Sequence, residues 1–172
     1  MDNAGCVWGE SWGLEVPLMF GPKGFRETPT LRRSNAFDEV AKEVKAVRND
    51  VGLLDISGFS RFEVKGPNAG AWLDRVFATK LPKPGRARLA VMLARSGRLK
   101  GDLTLFNWGD GSYWIMGSYY LREWHMRWFD DYQQDGATVS DISDTNVGFA
   151  LSGPKSREVL AKLTHQDISN EA

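Results

Sequence analysis

The sequence predicts an α+β fold, an antiparallel sheet with helices packed on one side. Three observations carry that expectation. Apolar residues between Ser34 and Gly52 fall on a 3.6-residue stripe, the spacing of an amphipathic helix. Residues 88–94, 99–108 and 112–116 are strand-like runs joined at Ser96-Gly97 and at Trp108-Gly-Asp-Gly111, which makes an antiparallel meander. Helices alternating with hairpins favour this class over a parallel doubly wound sheet.

Taken in order, residues 1–33 read as an irregular lead-in arm, because Gly13, Pro17, Gly21, Pro22, Gly24 and Pro29 break any regular period. The helix that follows places Phe37, Val40, Ala41, Val44 and Val47 inward, with Ser34 as its N-cap and Gly52 closing it in a left-handed conformation. Apolar runs at 51–56 and 61–65 then lead into Gly66-Pro67 and a helix whose inward residues are Trp72, Leu73, Val76 and Phe77. The same design returns 87 residues later, where Phe149-Ala-Leu-Ser leads into Gly153-Pro154 and a helix carrying Val159, Leu160 and Leu163. A strand entering Gly-Pro at a helix start twice suggests two related, ferredoxin-like βα halves of one sheet. Between them, Tyr120, Trp124, Trp128 and Tyr132 stand four apart and mark one face of a third helix.

Composition bounds the function classes. The 172 residues are 42% hydrophobic and 26% charged, with 22 Lys+Arg against 22 Asp+Glu, which excludes disordered, collagen-like and supercharged chains. One core, or a core plus an appendage, fits this length. A net charge of zero and a pI near 6.7 give no global field toward nucleic acid or an anionic membrane. Cys6 has no second cysteine to pair with, and His125 and His165 alone make no Cys/His set of metal-ligand spacing. With no basic segment followed by an apolar run, and no stretch of 18 uncharged apolar residues, the expected compartment is reducing: the cytoplasm, or the mitochondrial matrix in a eukaryote.

The hydrolase, P-loop, dinucleotide and zinc-protease motifs are absent. What stands out is charge layout. Arg75, Lys80, Lys83, Arg86, Arg88, Arg95, Arg98 and Lys100 precede the next acid, Asp102. These cations fit a solvated face, alternating outward from strands whose other side carries Leu89, Val91 and Leu93. They also fit a rim that attracts a polyanion, such as a glutamate-tailed cofactor or a phosphate.

Over this stretch Gly85-Arg-x-Arg-Leu-Ala-x-Met-Leu, followed by Ser96-Gly-Arg-Leu-Lys-Gly-Asp102-Leu-Thr, resembles the hairpin of the folate-binding aminomethyltransferase (glycine-cleavage T-protein) family. Val51-Gly-Leu-Leu-Asp55-Ile-Ser57, Phe62-x-Val-x-Gly66-Pro67-x-Ala69 and Gly148-x-Ala-x-x-Gly153-Pro154 match the same family in order. Trp12-Gly-Leu-Glu-x-Pro17 and His125-Met-Arg-Trp-Phe are more similar to the folate domain of dimethylglycine and sarcosine dehydrogenases. So are Arg98, where the T-protein pattern has a second Gly, and Gly101, where it has a second Asp.

The resemblance implies part of a folate-binding domain that accepts a one-carbon unit from an amine and gives 5,10-methylenetetrahydrofolate. Asp102 matches the catalytic carboxylate beside the reacting folate nitrogens; a partly desolvated carboxylate there can move a proton and favour a nearby iminium cation. Read from the residues alone, Asp102 is equally a strand acid paired with Arg98 or Lys100. Asp55 and Ser57 match a segment that approaches the ligand, although an Asp after an apolar run also hydrogen-bonds its own turn. Tyr113 and Trp114 suit stacking on a pteridine or packing within a sheet, and Arg88 and Leu99, within the matching hairpin, complete the implied folate contacts. His125, between Trp124 and Trp128, reads as a core or interface histidine.

Family folate domains are more than twice as long, so the chain is expected to be the N-terminal part of one, over residues 34–172, within a longer protein. A flavin, FAD, is expected only in a region ahead of the domain. The implied partners are folate, a small amine and the remainder of the longer enzyme or a partner subunit, with no nucleic acid and no membrane. A reading of a different class is a non-catalytic binding or assembly module in which Trp12, Trp124 and Trp128 pack on a partner chain.

Overall fold

The computed structural model describes residues 1–11 and 13–169; Trp12, one of the three tryptophans considered for partner packing, lies outside them. The elements begin with β1 (Cys6–Ser11), β2 (Leu14–Phe20), α1 (Phe37–Asn49), β3 (Gly52–Asp55), β4 (Phe59–Lys65) and α2 (Ala69–Val76). They continue with β5 (Arg86–Leu93), β6 (Leu99–Asn107), β7 (Tyr113–Ser118), α3 (Arg122–Asp131), β8 (Thr138–Asp141), β9 (Phe149–Ser152) and α4 (Ser156–Leu160). The chain divides into two units, one of residues 1–54 with 151–172 and one of residues 55–150.

The second unit holds the core. Its sheet has the order β5-β6-β7-β4-β8, antiparallel throughout. Alternation along the strands sends Ala90, Met92, Leu103, Leu105, Ile115, Phe62 and Val64 to one face. On that face Trp72, Leu73 and Val76 of α2, with Phe77 beyond it, and Phe129 of α3 complete a single apolar cluster. Phe129 stands edge-on to Phe62 and Trp72, with ring centroids 5.2 and 5.7 Å apart. The Trp72 indole donates to the Tyr132 carbonyl at 2.7 Å, so its polar edge is satisfied inside the core.

Several expectations are corrected in detail. The irregular arm contains a hairpin, β1 paired antiparallel with β2, and the breakers that hid it sit at its turn (Gly13) and in a strand (Pro17). The first helix begins at Phe37 with Ala36 as its N-cap, two residues late, because Ser34 serves the preceding turn: its hydroxyl accepts from the Ala36 N–H at 3.0 Å and its carbonyl from the Phe37 N–H at 3.1 Å. Gly52 is not left-handed; it opens β3, where a Cβ would run into the Val47 side chain. The apolar stripe of α1 is uncovered, with Phe37, Val40, Val44 and Val47 all exposed. In α3 the buried residues are His125 and Phe129, while Trp124 is exposed and Tyr120 precedes the helix.

The two halves lie in separate sheets, β4 beside β8 and β9 beside β3, rather than in one. Their turns nevertheless match. Gly66 and Gly153 both have φ +116, outside the range of ordinary L-residues. At each, a Cβ would strike a carbonyl oxygen, of Gly136 in one half and Asp50 in the other. Two residues on, the Asn68 N–H donates to that Gly136 carbonyl at 2.8 Å and the Lys155 N–H to that of Asp50 at 3.0 Å. The helices start after these turns, so each proline precedes its helix.

Core and open face should respond differently to truncation. Leu105→Ala should lower stability by ~2–5 kcal/mol and Leu89→Ala, on the other face, by under about 1 kcal/mol. Urea unfolding midpoints compare the two directly.

Candidate functional site

The sheet of the second unit has a face that none of that unit's helices covers. Strand register lines up Ala87, Phe106, Trp114, Glu63 and Ser140 in one row, Leu89, Thr104, Met116 and Arg61 in the next, and Val91 with Asp102 beyond. Trp114 meets Trp108 edge-to-face at 5.3 Å and its indole donates to Glu63 Oε1 at 3.4 Å. Lys65 salt-bridges Glu63 at 2.8 Å and, with the Trp114 indole, holds that carboxyl below the usual range.

Asp102 projects from this face because its neighbours Gly101 and Leu103 take the buried positions. It is exposed, not partly desolvated. Among the described residues no ion pair or hydrogen bond reaches its carboxylate. The pairing with Arg98 or Lys100 that the sequence allowed is not formed: Lys100 Nζ sits over the rings of Trp124 and Trp128, at 4.4 and 5.0 Å.

The remaining candidates do not all gather around Asp102. Asp55 Oδ1 accepts the Ser57 N–H at 2.8 Å, so Asp55 does close its own turn. The Ser57 hydroxyl and N–H, with Arg61 further off, hold its carboxyl below the usual range. Ser57 Oγ in turn accepts the Gly148 N–H at 3.1 Å. Arg88 alternates with Leu89 onto the opposite side of β5 and donates to the Lys80 carbonyl at 3.4 Å. Tyr113 packs against the core, its hydroxyl beside Gly70, leaving Trp114 as the aromatic on the open face. Leu99 is exposed where the β5–β6 register slips.

Two residues organise the sheet from inside: Arg61, which the sequence reading missed, and His125, which it took as a core or interface histidine and which lies in the core. Arg61 is only 4% exposed. Its Nη1 donates to the carbonyls of Phe59, Asn146 and Ser57 at 3.1, 3.2 and 3.4 Å, and Nη2 to that of Ile56 at 2.9 Å. The loop bearing Ser57 is thereby tied to the loop at Asn146–Gly148, where a Cβ on Gly148 would collide with the guanidinium. In sequence Arg61 reads as one more outward cation on an alternating strand, and its partners are backbone oxygens without side-chain identity. His125 is 2% exposed, with neither ring nitrogen hydrogen-bonded. It lies over Gly101 and Gly117: a Cβ on Gly101 would stand 2.9 Å from Nε2. Burial lowers its pKa, and the charge of Asp102 across the strand opposes that shift.

Among the described residues no helix is long and apolar enough to cross a membrane, and no three His, Cys, Asp or Glu side chains are grouped to hold a metal. The fold and face define an α+β domain with duplicated Gly-Pro turns and an open sheet bearing two carboxylates, Glu63 paired with Lys65 and Asp102 with no ion pair among the described residues. The chain belongs to the family described as the GCVT N-terminal domain, which matches residues 1–172. It is 31% identical over 97% of its length to the mitochondrial dimethylglycine dehydrogenase of Mus musculus, of which it covers 20%. It is 28% identical over 77% of its length to the aminomethyltransferase of Oceanobacillus iheyensis, covering 37% of that protein. The crystal structure of the glycine cleavage system aminomethyltransferase T from Bartonella henselae shares the fold, with a TM-score of 0.75 and 22% identity over 94% of this chain and 40% of that one. The chain thus spans about a fifth of the dehydrogenase it matches.

Removing the buried guanidinium takes a donor from four carbonyls, of which that of Ile56 keeps the Phe59 N–H at 3.3 Å, so Arg61→Ala should cost about 3 kcal/mol in urea unfolding and expose the 56–59 loop to protease. For His125 the folded pKa lies below the unfolded value of about 6.5. The unfolded chain therefore binds the proton first as pH falls. Wild type should lose stability relative to His125→Phe below about pH 6.5, by at most ~1.4 kcal/mol per pH unit, and run parallel to it above. Urea unfolding at pH 7.5, 6.5 and 5.5 measures the difference.

Proposed function

We propose that the domain binds tetrahydrofolate and passes it a one-carbon unit from an amine such as dimethylglycine, sarcosine or an aminomethyl-lipoyl protein, giving 5,10-methylenetetrahydrofolate. It would do so as part of a longer dehydrogenase-like enzyme, whose remaining portions would cover the apolar stripe of α1. The observation that carries this reading is the unpaired Asp102 carboxylate on an open sheet face. The residues fit the cofactor: Phe106, Met116 and Trp114 offer apolar surface to a flat ring, and Asp102 offers an acceptor to a ring N–H.

When bound, tetrahydrofolate supplies the nitrogens that take up the carbon. Asp102, through either carboxylate oxygen, would accept the proton lost from nitrogen and favour the cation that delivers the carbon. No ion pair among the described residues engages it. Asp55 and Ser57, held in place by Arg61, would border the ligand through their turn. Exposed Arg88 and Leu99 would meet only an extended part of the ligand, and Tyr113 would support the sheet beneath Trp114.

The test is Asp102→Asn in the full-length enzyme at saturating tetrahydrofolate. Production of methylenetetrahydrofolate should fall ~10²–10⁴-fold with folate binding within a few-fold of wild type, while amine oxidation continues and formaldehyde appears in place of the folate product. An unchanged ratio of formaldehyde to methylenetetrahydrofolate in a correctly folded variant would reduce Asp102 to an ordinary strand acid.

A further inference from the structure

We propose that the second unit carries a binding site for a small carboxylate-bearing organic anion, on the helix side of its sheet and independent of the folate reading. A cavity of about 320 Å³ opens there, lined by Arg75 and Val76 at the end of α2, by Leu93, Ala94 and Arg95 at the end of β5, and by Trp128 and Tyr132 from α3. Its volume is that of a small-molecule pocket.

Three features select the ligand. First, the lining contains two guanidiniums and no acid. Among the described residues neither Arg75 nor Arg95 has an ion pair or hydrogen bond through its side chain. Free arginine forks match the two oxygens of a carboxylate. Second, the indole N–H of Trp128 is buried with no acceptor. A native buried donor normally has a partner, and a ligand oxygen in this cavity would supply one. Lys100 over the Trp128 ring adds a third positive charge beside the site. Third, the rest of the wall is apolar, from Val76, Leu93, Ala94 and the mutually tilted rings of Trp128 and Tyr132, whose centroids are 4.6 Å apart. A bare phosphate would leave that wall against water, whereas an organic acid would cover it.

The basic run between Arg75 and Lys100 thus acquires a specific destination. Two of its members, twenty residues apart in sequence, reach one cavity because α2 ends where β5 turns.

The experiment follows the Trp128 indole N–H resonance of the ¹⁵N-tryptophan-labelled 172-residue chain, assigned by its loss in Trp128→Phe. Benzoate should shift this resonance saturably. Benzylamine should not, and inorganic phosphate should bind at least 10-fold more weakly than benzoate. Arg75→Gln and Arg95→Gln should each weaken benzoate 10-fold or more, with Arg75→Lys and Arg95→Lys in between, since lysine keeps the charge and loses the fork. Thermal unfolding of each variant establishes that it is folded. Absence of a shift, a shift indifferent to the arginine substitutions in folded variants, or equal binding of phosphate and benzoate would overturn the proposal.

Discussion

The arrangement of the open face depends on one buried cation. Arg61 brings its charge into the protein with no ion pair among the described residues, the Asp55 carboxylate acting only from further off, and is solvated by main-chain carbonyls from both sides of a loop pair. Transferring an isolated cation out of water is costly, and four oriented C=O dipoles are the compensation. The exchange is mutual for Ser57 and Asn146, whose carbonyls lie in irregular backbone, while Ile56 also accepts the Phe59 N–H at 3.3 Å and Phe59 opens β4. Ser57, Asn146 and Gly148 are placed by this contact, and the Asp55 turn with them. Arg122 of the same unit is neutralised in the usual way: it binds Asp141, and also Asp144 and the Tyr119 hydroxyl at 2.8 and 2.9 Å.

Much of the fold was legible because side-chain period announces it. The meander, α2 and its four inward residues came from alternation and 3.6-residue spacing, signals that survive without tertiary information. What stayed hidden was decided by tertiary contact. The β1–β2 hairpin carries a proline and an apparent breaker at its own turn. The inner face of α3 is set by His125 and Phe129, one position round from the more conspicuous tryptophans. A buried histidine with free nitrogens fits there only because Gly101 and Gly117 leave it space, a pairing of distant glycines that no local pattern reveals.

The candidate site was legible to a different degree. Asp102 stood out through family likeness, whereas local charge pointed equally to an ion pair that the folded chain does not make. Arg88 and Tyr113 lie apart from it through strand parity: neighbours in sequence face opposite sides of a sheet, so a hairpin motif contains residues for two surfaces at once. β6 is the clearest instance. Asp102 faces the open side, and Gly101, the residue before it, admits His125 on the core side, so one strand separates a solvated carboxylate from a dry imidazole.

The matched Gly-Pro turns carry a consequence for how the chain acquires its shape. Each turn hydrogen-bonds a carbonyl far along the chain, the Asn68 N–H donating to Gly136 and the Lys155 N–H to Asp50. The two closures are nested, the inner spanning residues 66–136 and the outer 50–155. On a ribosome the inner loop is complete while the outer still lacks its second end, so α1 and β3, made early, must wait for β9 and α4. Contacts of such sequence separation slow folding, and the waiting segment is the one with the uncovered valine stripe. A chaperone that engages the nascent chain would find an apolar binding surface on α1.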